Sequence, residues 1–168
     1  MSVYSRRSPD TGAPWDPETA LTHAPEYTDF PSVYLNGANV DVPYGDRQTG
    51  QYDIYCLRSA DFGARWAKKQ QITKTDAMDL YPAAARDGSN VHIVWTGKEG
   101  VMYLHSVDGG ATWGPAACLS EKGMGPFIAV AGDAVHVIFV SPRTVDRAAY
   151  YRRNPTGNRS VPAVPEVP

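Results

Sequence analysis

Little in this chain points to metal or redox chemistry. It has two cysteines and four histidines in 168 residues, and no C-x-x-C or H-E-x-x-H spacing occurs among them, which argues against a zinc site. Cys56 and Cys118 fall on different predicted strands of different repeats and are read as small hydrophobes rather than as a disulfide. An excess of one charge is also missing. Sixteen Lys and Arg against eighteen Asp and Glu leave a formal net charge of −2, with no basic stripe for nucleic acid and no acidic block. Long apolar runs are absent: stretches such as Ala134 to Val140 are far too short to span a bilayer. Met1 to Pro9 carries Arg6 and Arg7 with no apolar stretch behind them, so no signal peptide is read and the compartment stays open. No cofactor is implied. Helical periodicity is lacking as well, since no segment keeps the i, i+3, i+4, i+7 pattern for three turns.

What the chain has in quantity is punctuation. Fourteen prolines and fifteen glycines separate short runs of alternating residues, and ten tyrosines sit within them. Many short strands joined by tight turns are expected.

One eight-residue element recurs. Ser106, Asp108, Gly110, Thr112 and Trp113 form a full S-x-D-x-G-x-T-W box. Ser59, Asp61, Gly63 and Trp66 repeat it with Arg65 in the Thr place, and Ser8, Asp10, Gly12 and Trp15 repeat it with Pro14 there. A worn copy starting at Asn154 has lost its Trp. The steps between starts are 51 (8 to 59), 47 (59 to 106) and 48 (106 to 154).

The flanks repeat in register with the boxes. A tyrosine-bearing strand precedes each one, through Tyr4, Tyr55, Tyr103 and Tyr150–Tyr151, and a short strand follows the first three, ending at Thr22, Thr73 and Ser120. A proline then opens a new unit at Pro31, Pro82 and Pro126. A turn follows at Asn36-Gly37, Asp87-Gly88 and Gly132-Asp133, and a Val-rich strand completes the set. Each unit is therefore read as four strands: Pro-led, Val-rich, Tyr-bearing, and the strand after the box. A period of roughly 40–50 residues is that of a propeller blade. One such sheet cannot bury both its faces, whereas sheets stacked radially can.

The box residues suit a hairpin between the third and fourth strands. Ser and Asp bond to loop backbone, Gly permits positive φ, and Trp plugs the loop onto its sheet. All of these roles build structure. The D-x-D-x-D-G spacing of a calcium loop is absent.

The boxes, the stretch Asp87 to Trp95 and the stretch Tyr103 to Trp113 resemble the Asp-box (BNR repeat) proteins of the sialidase superfamily, over nearly the whole chain. The resemblance implies an all-β fold: a β-propeller of four-stranded antiparallel blades, about three per chain plus a partial one over residues 1–161, with a Pro-rich tail at 162–168. Sialidases of this kind have six blades. Their chemistry uses a Tyr nucleophile assisted by a Glu, an Asp acid/base, and three arginines that clamp the substrate carboxylate. The first arginine lies in an Arg-Ile-Pro motif leading a first strand. The matching places here read Asp29-Phe30-Pro31, Leu80-Tyr81-Pro82 and Met124-Gly125-Pro126. No catalytic residue carries over, and Arg86, Arg143 and Arg147 are not placed as a triad.

The strand count opens on a third and fourth strand and closes on a first, second, third and doubtful fourth. A homo-oligomer is expected, favouring a two-fold dimer that makes six blades. The functional expectation is a non-catalytic module that binds glycan or protein or assembles with itself; the alternative is a sialidase-class hydrolase whose site is completed across subunits. His92 and His136, which share a strand position with Asp41, are candidates for facing a ligand, although a structural role for this position is favoured. Tyr44 and Trp95 are further candidates. With Phe139 they end the Val-rich strands, and capping of the core is the favoured reading for all three. Arg6, Arg7, Arg152 and Arg153 are read as solvated or paired, and Lys68 and Lys69 as a solvated face.

Overall fold

A computed structural model describes residues 1–23, 27–142 and 148–154. The worn fourth box from Pro155 onward, the tail at 162–168, Arg143 and Arg147 lie outside the described residues. Within them the structure is all-β, without a helix, and built of four antiparallel sheets.

Sheet I pairs β1 (Tyr4–Ser5) with β2 (Thr19–Ala20). Sheet II contains β3 (Thr28–Asp29), β4 (Tyr34–Asn36), β5 (Asn39–Asp46), β6 (Asp53–Ser59) and β7 (Gln70–Gln71). Its first strand is split, so β3 and β4 both pair with β5, followed by β6 and β7 in order. Sheet III runs β8 (Leu80–Asp87), β9 (Asn90–Gly97), β10 (Gly100–Ser106), β11 (Ala117–Ser120). Sheet IV runs β12 (Met124–Ala131), β13 (Ala134–Ser141), β14 (Ala148–Asn154).

The hairpins joining first to second strands turn on Gly37, Gly88 and Gly132, each at φ 56–57°. That left-handed conformation is open to glycine without steric cost. Each first strand is irregular where its proline enters. The register shifts between Leu80 and Ala83 and between Met124 and Phe127. In sheet II the same irregularity widens into the break between β3 and β4. Proline has no N–H for the ladder and belongs at such bulges.

The sheets stack face to face, and the second strands of sheets II and III are therefore buried on both sides, whereas β13 at the end of the stack is buried on one. Along β9, Val91, Ile93 and Trp95 point one way and His92 and Val94 the other, as strand geometry demands; all five are buried. Three apolar clusters fill the spaces between sheets. Val3 and Leu21 of the sheet I segment meet Val40, Val42, Tyr44, Tyr55 and Leu57 of sheet II. Ile54 of sheet II meets Ala84, Ile93, Trp95 and Leu104 of sheet III. Val94, Val101, Tyr103 and Leu119 meet Val135, Val137 and Phe139 of sheet IV. Each such side chain stabilises the fold by about 1.5–3 kcal/mol relative to exposure.

Between sheets, first strands lie closest to one another. Polar links join them: Ser32 Oγ donates to Pro82 O at 2.8 Å, and Tyr34 Oη donates to Arg86 O at 2.6 Å. Converging first strands and diverging fourth strands give the stack its fan shape. No disulfide joins the two cysteines; Cys56 is buried on β6 and Cys118 is exposed on β11.

Candidate functional site

The two ends of the sheets differ in chemistry. One end carries the box hairpins. In each, the serine Oγ accepts from the glycine N–H four residues on: Gly12 to Ser8 at 3.0 Å, Gly63 to Ser59 at 2.9 Å and Gly110 to Ser106 at 2.8 Å. Asp61 Oδ1 accepts from Arg65 N, and Asp108 Oδ1 from Thr112 N, both at 2.8 Å. The Thr112 hydroxyl adds a bond to Asp108 Oδ2. These donors hold the Asp108 carboxyl down at about 2 and the Asp61 carboxyl below its usual range. Two consecutive residues are left-handed in each of the three described boxes: Thr11 and Gly12, Phe62 and Gly63, Gly109 and Gly110. The sequence pattern signals only the second of each pair.

Trp66 and Trp113 are half-buried against the inter-sheet clusters, and Arg58 lies over the Trp113 ring at 5.6 Å. Trp15 departs from the expected plug and is 55% exposed. Trp66 and Trp113 reach the sheet that precedes their own, and the described residues place no sheet there for Trp15. Asp108→Ala removes three loop bonds at once. It is expected to lower the midpoint of chemical denaturation, as losing a cap does, while the far-UV spectrum stays unchanged.

The opposite end presents aromatic rings. Phe30 and Tyr81 occupy equivalent places, each just before the proline of a first strand, and both are left-handed, at φ 55° and 54°. Gly125 holds the same place in sheet IV at φ 58°. An L-residue with a large ring pays roughly 1–2 kcal/mol for this conformation. The rings of Phe30 and Tyr81 contact across sheets II and III, centroids 4.5 Å apart and tilted by 56°. Tyr52 adds a third ring, 5.9 Å from Phe30, and donates to Asp29 Oδ2 at 3.1 Å. Partial desolvation, then that bond to Asp29, raises the Tyr52 phenol above its usual range. Gly45 leaves room for this packing, since a Cβ there would meet Tyr52 and Phe30 at 3.3 and 3.6 Å. Tyr81 remains 48% exposed.

Beneath the rim, Asp46, Asp53 and Asp79 are buried. Asp79 accepts from Trp95 Nε1 at 2.9 Å and Thr75 Oγ1 at 3.2 Å. Asp53 accepts from Thr49 Oγ1 at 2.7 Å and Gln71 Nε2 at 3.1 Å. Lys69 Nζ lies 3.0 Å from Asp46 Oδ2, so Lys69 is paired rather than part of a solvated face. Burial raises the Asp79 carboxyl. Their bonds and their depth make these acids supports for the loops around the rim rather than groups that meet a ligand.

Of the residues singled out as candidates for facing a ligand, Tyr44, His92 and Trp95 lie in the interior at 0%, 1% and 2% exposure. The stacked sheets cover them from both sides, so they cannot face a ligand in this chain as it stands. His92 Nδ1 and Tyr103 Oη are bonded at 2.8 Å, and the His105 ring stacks on His92. His136 forms the same pair with Tyr151 on sheet IV, where it is only half-buried. Arg86 bonds Asp41 at 3.0 Å inside the stack. Arg7 pairs with Asp16 at 3.1 Å. The sequence does not reveal the rim because its residues come from three separate segments, ahead of β4, ahead of β6 and at the start of β8. The available hint was that Phe30 and Tyr81 align with a glycine.

A groove of about 540 Å³ runs between sheet I and sheet II. Val33, Leu35, Val40, Val42 and Phe62 of sheet II line one wall, and Tyr4, Leu21 and Trp15 line the other.

No protein-family model matches the chain, and no curated protein matches it in sequence. Solved structures do share its fold. Trypanosoma rangeli sialidase superposes with a TM-score of 0.59 at 14% identity, over 90% of this chain and 31% of that one. Penicillium chrysogenum alpha-L-arabinanase gives 0.58 at 12% identity, over 89% and 51%. The NanB sialidase from Streptococcus pneumoniae gives 0.58 at 16% identity, over 84% and 24%. The chain thus spans about half the length of the arabinanase and less of the sialidases. At these identities the likeness shows the architecture, a sialidase-like β-propeller fold.

Proposed function

We propose that this chain is a non-catalytic, sialidase-like Asp-box propeller module that binds glycan through its aromatic rim and associates with itself. The observation that carries the glycan reading is the placing of Phe30 and Tyr81. Both keep an exposed or half-exposed ring in a backbone conformation that sheet IV gives to glycine. A ring held against local strain, beside a carboxylate such as Asp29, fits a saccharide: the apolar C–H face stacks on the ring and a hydroxyl bonds the acid. The fold's likeness to enzymes solved with arabinobiose or sialic acid agrees with a saccharide-related role.

Tyr81→Gly separates function from folding. Relief of the left-handed tyrosine offsets glycine's entropy cost and the lost contact with Phe30, each on the order of 1 kcal/mol. The melting temperature is expected to stay within about 4 °C of the parent. Binding to immobilised glycans, with arabinobiose and sialic acid as soluble probes, is expected to fall about tenfold or more. Equal binding by the variant and the parent rules out the rim, and a blank glycan array on the parent removes the glycan reading.

The alternative, a hydrolase of the sialidase class with a site completed across subunits, draws on those same glycosidase neighbours. None of the three places leading the first strands carries an arginine. Turnover of a fluorogenic sialoside above background would establish it in place of the non-catalytic reading.

A further inference from the structure

Two apolar surfaces lie bare at opposite ends of the stack. The first is the outer face of sheet IV. Phe127, Ile138 and Tyr151 stand side by side across its three strands, with Met124 and Val140 in the next row; Phe127 is 67% exposed and Ile138 49%. The corresponding face of sheet III is covered by sheet IV, and its His92–Tyr103 pair is buried, whereas the matching His136–Tyr151 pair is open. The second surface is the sheet II wall of the groove, where Val33 and Leu35 are exposed. Among the described residues β1 pairs only with β2, so the far edge of β1 opens onto this wall.

The two surfaces complement one another. Sheet I supplies a third and a fourth strand; the groove beside it has the place for a first and a second. Sheet IV has a first and a second strand in β12 and β13, and its bare side is the one that, in every other sheet, packs on the sheet that follows. The third strand of sheet IV, β14, copies β1 in sequence: Tyr150-Tyr151-Arg152-Arg153 against Tyr4-Ser5-Arg6-Arg7.

We infer that a second copy of this chain fills the groove with its β12 and β13, and that β1 replaces the second copy's β14 as partner of β13. This rests on the self-association proposed above and specifies its interface. The exchange trades one Tyr-x-Arg-Arg strand for another in the same ladder, so little pairing is lost. It also covers Phe127, Ile138 and Val140 of one copy with Val33 and Leu35 of the other. Done reciprocally, it closes two chains into a ring of six four-stranded sheets in which neither apolar face stays bare and only the short fourth strands remain as edges.

Register makes the interface testable. Ile138 pairs with Tyr151, and Ser5 aligns with Tyr151, so Ser5 of one copy comes to lie opposite Ile138 of the other. Full-length chains carrying Ser5→Cys or Ile138→Cys, each with Cys118→Ser, are mixed and gently oxidised, and non-reducing gels are read alongside light scattering of the parent. A dimeric mass with a covalent dimer from the mixture, and none when Asp133→Cys replaces Ile138→Cys, is the expected result. A dimeric mass without this cross-link overturns the strand exchange and leaves self-association standing. A monomer at every concentration overturns both. Ile138→Asp, at a position exposed in the single chain, checks the same face without cysteines: it is expected to weaken the dimer at least tenfold while leaving the far-UV spectrum intact, and an unchanged dimer counts against the inference.

Discussion

Asp41→Ala is expected to lower stability by about 3–5 kcal/mol, because it strands two guanidinium groups inside the protein. Asp41 is fully buried on β5 and faces sheet III. Arg86 from β8 reaches it at 3.0 Å and Arg58 from β6 at 3.2 Å. Arg86 also donates to Gly88 O at 2.9 Å and to Gly109 O at 3.2 Å, so one side chain ties sheet II to two turns of sheet III. Gly110 is packed against Arg58 closely enough that a Cβ there would stand 2.5 Å from the guanidinium carbon. Burial pushes the Asp41 carboxyl up and the two arginines pull it down. The group therefore carries a large solvation cost that only its partners offset. Urea denaturation followed by tryptophan emission measures the loss. Asp41→Asn keeps the shape without the charge and is expected to lose less, whereas a loss below about 1 kcal/mol for the alanine variant would mean that the arginines find water instead.

That network shows where reading the sequence stops. The strand order is legible because punctuation is local: proline, an Asn-Gly or Asp-Gly turn, a valine run, tyrosine, then the box. The boxes recur every 47–51 residues and the prolines and turns every 44–51, and the hairpins turn at Gly37, Gly88 and Gly132. Strand ends were less legible. The apolar alternation marks only Val40 to Val42, yet the strand extends over Asn39–Asp46, because Pro43 falls opposite the break between β3 and β4, where the ladder asks for no N–H. Asp46 has the composition of a loop residue, yet it is the buried last residue of that strand, held by Lys69.

Partners across sheets were not legible. Asp41 aligns with His92 and His136, which suggests a ladder of equivalent polar residues along one surface. The structure gives this one position three surroundings: an ion network, a stacked histidine pair, and a half-open histidine bonded to tyrosine. Only the first needs the next sheet, through Arg86 about one repeat away; the two histidines bond tyrosines of the neighbouring strand in their own sheets, Tyr103 and Tyr151. The aromatic rim was hidden for a similar reason. A left-handed Phe or Tyr before proline runs against local preference, so propensity gives no warning of Phe30 or Tyr81.

Lowering the pH from 7 to 4 is expected to remove about 3 kcal/mol of stability through His92 alone. Burial depresses the His92 imidazole to about 4, with the neighbouring His105 contributing a smaller push in the same direction. His105 is itself lowered by burial. Between about pH 6.5 and 4 the unfolded chain holds a proton on His92 that the folded chain does not, so unfolding takes up a proton and stability falls as the pH falls. Each pH unit of that window is worth about 1.4 kcal/mol. The support from Asp108 and Asp61 fades as the pH falls through the ordinary carboxylate range, toward about 2 for Asp108, and so changes little above pH 4. The raised Asp41 and Asp79 carboxyls take up protons in the folded chain and oppose the histidine slope at the acid end of the window. Denaturant melts at half-unit steps would trace the slope, and His92→Gln should flatten it between pH 6.5 and 4 at some cost in stability near pH 7, where the bond to Tyr103 is lost. A profile that is flat in the parent would show that the folded chain accepts a proton on His92 as readily as the unfolded one, and a profile equally steep in the variant would assign the slope to another group.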